Sequence, residues 1–166
     1  DGMVTGEFAQ WYKREGEKLV ALLLTGVYEP AAVRSVEITK AGGGKRKLGI
    51  PTVTDRIIQQ AIAQVLERIY DHTFSESSYG FRPKRGAHQG LKVASQHVQC
   101  GRRVVVDIDL KNFFDVVNHD RLMSRLSARI GDKTLLKLIR KYLQSGIMED
   151  GIVSQRLEGT PQGSPL

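Results

Sequence analysis

Four short stretches carry side chains whose types and spacing suit chemistry on phosphates. Asp107 and Asp109 stand on the run RRVVVDIDL, residues 102–110. In an extended chain side chains alternate, so Val104, Val106, Ile108 and Leu110 share one face and both carboxylates the other. Carboxylate oxygens suit hard cations such as Mg²⁺, and two such ions can clamp an in-line displacement at phosphorus. An aspartate there can equally cap a strand or pair with a lysine. Lys40 and Arg46 sit six residues apart on either side of the glycines Gly42-Gly43-Gly44, so a tight turn brings both cations toward one polyanion. A Walker-type phosphate loop is excluded, because Lys45 is followed by Arg46 and position 39 is Thr. The plain alternative is a solvated basic hairpin. SYGFRP, residues 78–83, offers aromatic faces and Arg82 to a nucleic-acid backbone or base; taken alone, Phe81 reads as a core plug beneath a loop. GTPQG, residues 159–163, puts the Gln162 amide on a glycine-flexible loop, able to read a sugar or base edge or to be an ordinary turn.

The elements that must position these residues follow from periodicity. Phe8, Trp11, Tyr12, Leu19, Leu22 and Leu23 recur at roughly helical spacing over residues 5–25, with Gly26 as C-cap. Residues 33–38 alternate as a strand and return near 47–50, making a hairpin with cations Lys40, Lys45, Arg46 and Lys47. Residues 54–71 carry the strongest helical pattern, Ile57, Ile58, Ala61, Ile62, Val65, Leu66, Ile69 and Tyr70, with Thr52 or Thr54 as cap. Further helices are predicted over 87–98, 119–130 and 132–145. The β-branched run 102–110 predicts a buried strand. A closing hairpin turns at Glu149-Asp150-Gly151.

The chain has 166 residues, 25 Lys+Arg against 18 Asp+Glu and a formal charge of +7. Its 40% hydrophobic and 26% charged content excludes global disorder and collagen-like structure. No apolar run is long enough to span a bilayer, and the opening DGMVTGEF lacks the layout of a secretion signal. The single Cys100 forms no internal disulfide, so a reducing compartment is the expectation. The positive charge favours polyanionic partners.

Taken in order, RKLGIPTVTDRIIQQA, SYGFRP, DIDLKNFFD with NHDRL, and GTPQGSPL resemble consecutive blocks of a bacterial reverse transcriptase, specifically of the group II intron-encoded reverse transcriptase/maturase family. The resemblance covers nearly the whole chain. It implies an α+β fold: helical fingers with a basic β-hairpin over residues 1–100, then an incomplete antiparallel palm sheet over 101–166. It implies RNA-directed DNA synthesis by two-Mg²⁺ nucleotidyl transfer on an RNA template, with a DNA primer and dNTPs, together with intron RNA binding in splicing.

Residue by residue, the resemblance assigns Lys40 and Arg46 to the incoming triphosphate and Asp109 to catalysis and metal, with the Leu110 carbonyl as a second metal ligand. Phe114, with Phe113 its rival, becomes the steric gate against the ribose 2′-hydroxyl, and Gln162 lies near the nucleotide sugar. Arg82, Lys84, Arg85 and Arg56 take template or structural roles. The family's Tyr-x-Asp-Asp turn is absent from this sequence. The expectation is therefore a fingers and partial-palm fragment, inactive alone, with an open sheet edge prone to self-association, from a bacterial cytoplasmic protein. Two other readings are a non-enzymatic RNA-binding maturase module and a retron-like or other bacterial reverse transcriptase.

Overall fold

The computed structural model describes residues 2–39 and 43–166, and of Arg46 the backbone only. Lys40 lies outside the described residues. The chain forms two compact units, one from residues 1–61 and 112–166, the other from 62–111. These packing units cut the chain elsewhere than the division at residues 100–101 that the sequence resemblance leads one to expect.

In the first unit, α1 (Phe8–Leu24) ends where Gly26 takes a φ of +70°, and Val27 N–H reaches back to the Leu22 carbonyl. β1 (Val33–Thr39) pairs antiparallel with β2 (Lys45–Ile50), with Arg34 opposite Ile50 and Thr39 opposite Lys45. A second hairpin, β3 (Ile147–Glu149) and β4 (Ile152–Ser154), turns through Asp150 and Gly151, both at positive φ as a type I′ turn requires. β3 joins β1 in parallel, Val33 opposite Ile147, giving one sheet in the order β2-β1-β3-β4. The sheet is thus mixed rather than purely antiparallel. Its order follows from Val33, a buried residue whose N–H donates to the Gly146 carbonyl at 2.8 Å.

α2 (Val53–Tyr70) contributes its first half to one unit and its second half to the other. Thr52 and Asp55 cap it reciprocally: Asp55 N–H donates to the Thr52 hydroxyl oxygen at 3.1 Å, and that hydroxyl donates to Asp55 Oδ2 at 2.7 Å. Its buried stripe runs through Val53, Asp55, Ile58, Gln59 and Ile62, while Ile57 and Val65 stay exposed. α4 (His119–Ser127) is capped by the Asn118 side chain, and α5 (Lys133–Gln144) by Asp132, which accepts from Thr134 and Leu135 N–H groups. Ile139, Tyr142 and Leu143 bury the inner face of α5.

The second unit holds α3 (Ala87–Gln99) and the segment 102–110. That segment is not the buried strand its composition predicts. It belongs to no ladder, and Val104, Val105, Val106, Ile108 and Leu110 are all exposed. β-branched residues favour an extended backbone, but a strand persists only where a neighbour satisfies its N–H and C=O groups. Among the described residues none does so.

Candidate nucleotide site

In the first unit, residues 159–162 form a strap that ties three sequence motifs together. Gly49 N–H on β2 donates to the Gln162 carbonyl at 2.9 Å. Thr160 N–H donates to the Phe114 carbonyl at 2.7 Å, and Gly159 N–H to the Val117 carbonyl at 2.8 Å. Glycine is required at both ends of this contact. A Cβ at Gly49 would stand 2.7 Å from Pro161 Cβ and Val33 Cγ1; one at Gly159, already at φ +79°, would stand 2.7 Å from the Asp115 carbonyl oxygen. The strand of the basic hairpin, the Phe-Phe pair and the Pro-Gln loop thus form one hydrogen-bonded assembly.

Phe113 and Phe114 lie on a 3₁₀ turn, Phe113–Val116, entered through Asn112 at φ +53°. Their rings meet edge to face with centroids 5.9 Å apart, and each ring is about half-exposed, so both remain available to a ligand. Arg156 is half-buried, and burial lowers its pKa against the opposing effect of the Asp115 carboxylate. On the hairpin, Lys45 Nζ donates to Glu37 and Lys47 Nζ to Glu149, each at 2.7 Å. These exposed pairs raise both lysine pKa values through the hydrogen bond to the carboxylate. Either lysine must exchange its carboxylate to reach a phosphate, a small cost at the surface.

The second unit carries Asp109 and Leu110, both on the exposed 102–110 segment. Among the described residues no three His, Cys, Asp or Glu side chains converge on a point that would hold a metal ion. Asp109 with the Leu110 carbonyl therefore does not amount to a two-metal donor set.

Arg82 is positioned as a loop organiser. Its side chain is 5% exposed. Nε donates to Asp71 Oδ1 at 2.8 Å, Nη2 to the Asp71 carbonyl at 2.9 Å, and Nη1 to the carbonyls of Ser75 and Ser78. The guanidinium also lies 5.5 Å from the Phe74 ring centroid. The neighbouring Phe81 is fully exposed at φ +53°, opposite to its expected place in a core. Arg85 pairs with Glu76 and lies over the Tyr79 ring, while Lys84 is exposed. Lys84, Arg85, Lys92 and Tyr79 line a cavity of about 440 Å³ beside α3. In the first unit Arg56 is exposed on the outer face of α2.

One constellation escaped sequence reasoning. Asp55 is 1% exposed and accepts four hydrogen bonds, from the Tyr28 and Tyr142 hydroxyls (2.8 and 3.0 Å), the Thr52 hydroxyl (2.7 Å) and Ala31 N–H (3.2 Å). Burial, reinforced by the Asp55 charge, pushes both tyrosine hydroxyls above their ordinary range, so both act as donors at neutral pH. The signal present in the sequence is the Thr-x-x-Asp spacing of a capping box at Thr52–Asp55.

Residues 38–166 match the family described as Reverse transcriptase (RNA-dependent DNA polymerase). The chain belongs to the reverse transcriptase family. It is 40% identical over 151 residues to Protein YkfC of Escherichia coli K12, covering 87% of this chain and 40% of that protein. It is 38% identical over 151 residues to the Group II intron-encoded protein LtrA of Lactococcus lactis subsp. cremoris, covering 90% of this chain and 25% of LtrA. A protein in the cob intron of Schizosaccharomyces pombe is 35% identical over 148 residues, with 89% and 18% covered. The chain thus spans well under half the length of these relatives. Among solved structures, the Partial Cas6-RT-Cas1–Cas2 complex superposes on 99% of this chain and 31% of its own with a TM-score of 0.52 at 23% identity, a likeness of fold alone. No helix among the described residues is long and apolar enough to cross a membrane.

Proposed function

We propose that this chain handles the incoming nucleotide and template in an RNA-directed DNA polymerase of group II intron type, extending a DNA primer on RNA. The observation that carries the reading is the strap of residues 159–162, whose backbone bonds tie the Gln162 carbonyl to Gly49, on the same strand as Arg46, and Thr160 N–H to the Phe114 carbonyl. In this reading Lys40 and Arg46 hold the triphosphate by charge-assisted hydrogen bonds. Phe114 closes the space beside the sugar, Gln162 borders it, and Asp109 supplies one carboxylate for Mg²⁺. The fingers occupy residues 1–100 and the palm begins at 101. One carboxylate does not hold two Mg²⁺ ions in working geometry, so the 166-residue chain alone is expected to give no primer extension. A polypeptide joining it to a Tyr-x-Asp-Asp segment is expected to extend a primer on RNA and to lose that activity on Asp109→Ala. Extension by the 166 residues alone, or retained activity in Asp109→Ala, contradicts the assignment.

Intron RNA binding is the second role, favoured by the net charge of +7 and by the Lys84–Arg85–Lys92 cavity. Binding to intron RNA is expected to exceed binding to an unrelated duplex of equal length and to weaken steeply with salt. Equal affinity for both would remove intron specificity.

A further inference from the structure

We infer that His119 is a positioning residue for nucleotide selection, acting through its hydrogen bond to the Gly159 carbonyl oxygen. The inference rests on the polymerase reading and deepens it. His119 opens α4, is 4% exposed, and places Nε2 2.8 Å from that oxygen. A carbonyl only accepts, so Nε2 carries the hydrogen and donates. The capping of α4 does not need this bond, because Asn118 supplies the cap.

The bond matters because of what Gly159 begins. Its N–H is held by the Val117 carbonyl, the next residue's N–H by the Phe114 carbonyl, and Gln162 is held by Gly49 on β2. His119 grips the one remaining polar group of Gly159, on the side opposite its N–H. The peptide plane between Gly159 and Thr160 is then fixed by Nε2 at its oxygen and by Phe114 at its nitrogen. Without the imidazole donor that plane is held only at its nitrogen, and Gly159 has no Cβ to resist its rotation. Rotation would carry Thr160 N–H off the Phe114 carbonyl and displace the gate and Gln162 together. The consequence falls on nucleotide placement, where a small misplacement costs rate and selectivity.

Two substitutions separate this from plain stability. His119→Phe keeps a ring of similar size and removes the donor; His119→Gln returns an amide N–H at nearly the Nε2 position. The first readout is hydrogen exchange of the Thr160 and Gly49 amides in the 166-residue chain. Exchange is expected to speed up about tenfold or more in His119→Phe, the scale of one lost hydrogen bond, and to return toward wild type in His119→Gln. The second readout is steady-state primer extension in a polypeptide joined to a Tyr-x-Asp-Asp segment. There His119→Phe is expected to raise KM for dNTP about tenfold, with a smaller change in kcat, and to weaken deoxyribose-over-ribose selection, both recovered in His119→Gln. Unchanged exchange at Thr160 and Gly49 overturns the latch whatever the enzyme does. Altered exchange with unchanged KM and sugar selection overturns its role in nucleotide selection. A wild-type protein that extends no primer counts against the polymerase reading and leaves the exchange result to decide the latch.

Discussion

The Tyr142 hydroxyl on α5 donates to Asp55 Oδ1 on α2 at 3.0 Å, across 87 residues of sequence. Tyr28 donates to the same oxygen from the loop after α1, and Ala31 N–H and Thr52 to the other. One buried carboxylate therefore fastens three segments of the first unit: the α1–β1 loop, the start of α2 and α5. A carboxylate withdrawn from water is tolerated only when its lone pairs are filled, as these are. Tyr142→Phe removes one donor of four and is expected to lower unfolding free energy by about 1–2 kcal/mol. Asp55→Ala leaves two phenols, one hydroxyl and one amide without their acceptor and is expected to cost about 3–5 kcal/mol, several unsatisfied buried donors at about 1–3 kcal/mol each. Urea unfolding of the 166-residue chain checks both. Equal losses for the two variants would mean that the four donors do not share one network.

The strong periodic segments were legible in the sequence, and the places where reading failed share a cause. Helices over 8–24, 53–70, 87–99, 119–127 and 133–144 follow from apolar spacing, with Thr52 readable as a cap. Those signals are local. The Asp150-Gly151 turn was likewise readable, because both residues tolerate the positive φ that the turn imposes. What local signals miss is the partner. The run 102–110 has strand composition but no ladder, since pairing depends on another segment. Asp55 reads as a helix cap, and only the arrival of Tyr28 and Tyr142 makes it a buried hub. Phe81 looks like a core residue until Arg82 turns inward and leaves it exposed. Of the candidate site, the motifs offered candidate residues, while the strap that links Gly49, Phe114 and Gln162 is visible only in three dimensions.

The Arg82–Asp71 pair makes the SYGFRP loop sensitive to acid. The hydrogen bond from Arg82 holds the Asp71 carboxyl below the usual carboxylate range, and Arg85 does the same for Glu76. A depressed pKa stabilises the fold above the unfolded value and ceases to do so as pH falls through the folded one. The loop is therefore expected to hold its structure from neutral pH down to about 4, the ordinary carboxylate range, and to loosen below it. The Arg82 Nε–H resonance, followed through an acid titration, reports this. Arg82→Lys keeps the charge but cannot reach Asp71 and three carbonyls at once, so it is expected to broaden the loop's resonances already at neutral pH. A loop unchanged in Arg82→Lys would reduce Arg82 to a simple counter-charge.

The extended, unpaired segment 102–110 is expected to associate with other copies of itself. Val104, Val106, Ile108 and Leu110 are exposed along a backbone whose hydrogen-bonding groups have no ladder, the combination that promotes strand-to-strand pairing. Sedimentation of the purified 166-residue chain is expected to show concentration-dependent association. Val106→Lys, a charge in the middle of the apolar row, is expected to shift it to the monomer. A chain that stays monomeric at all concentrations, or a Val106→Lys variant that associates as strongly, would place the sticky surface elsewhere.

Of the two neighbouring phenylalanines, we propose Phe114 as the gate, on the strength of its hydrogen bonding. Its carbonyl receives Thr160 N–H at 2.7 Å, so its backbone is fixed to the strap that also carries Gln162, whereas among the described residues no backbone bond joins the strap to Phe113. A steric gate works only if the ring cannot retreat from the added hydroxyl, and a fixed backbone restricts that retreat. In a polypeptide joined to a Tyr-x-Asp-Asp segment, Phe114→Ala is expected to raise ribonucleotide incorporation relative to deoxyribonucleotide by about tenfold to a hundredfold, the scale on which a shaped pocket rejects one extra hydroxyl. Phe113→Ala, which removes the edge-to-face partner 5.9 Å away, is expected to change selection far less. Competition between the two nucleotide types in a single extension reaction measures the ratio directly. Relaxed selection in Phe113→Ala with none in Phe114→Ala would move the gate one residue toward Asn112 and detach it from the strap.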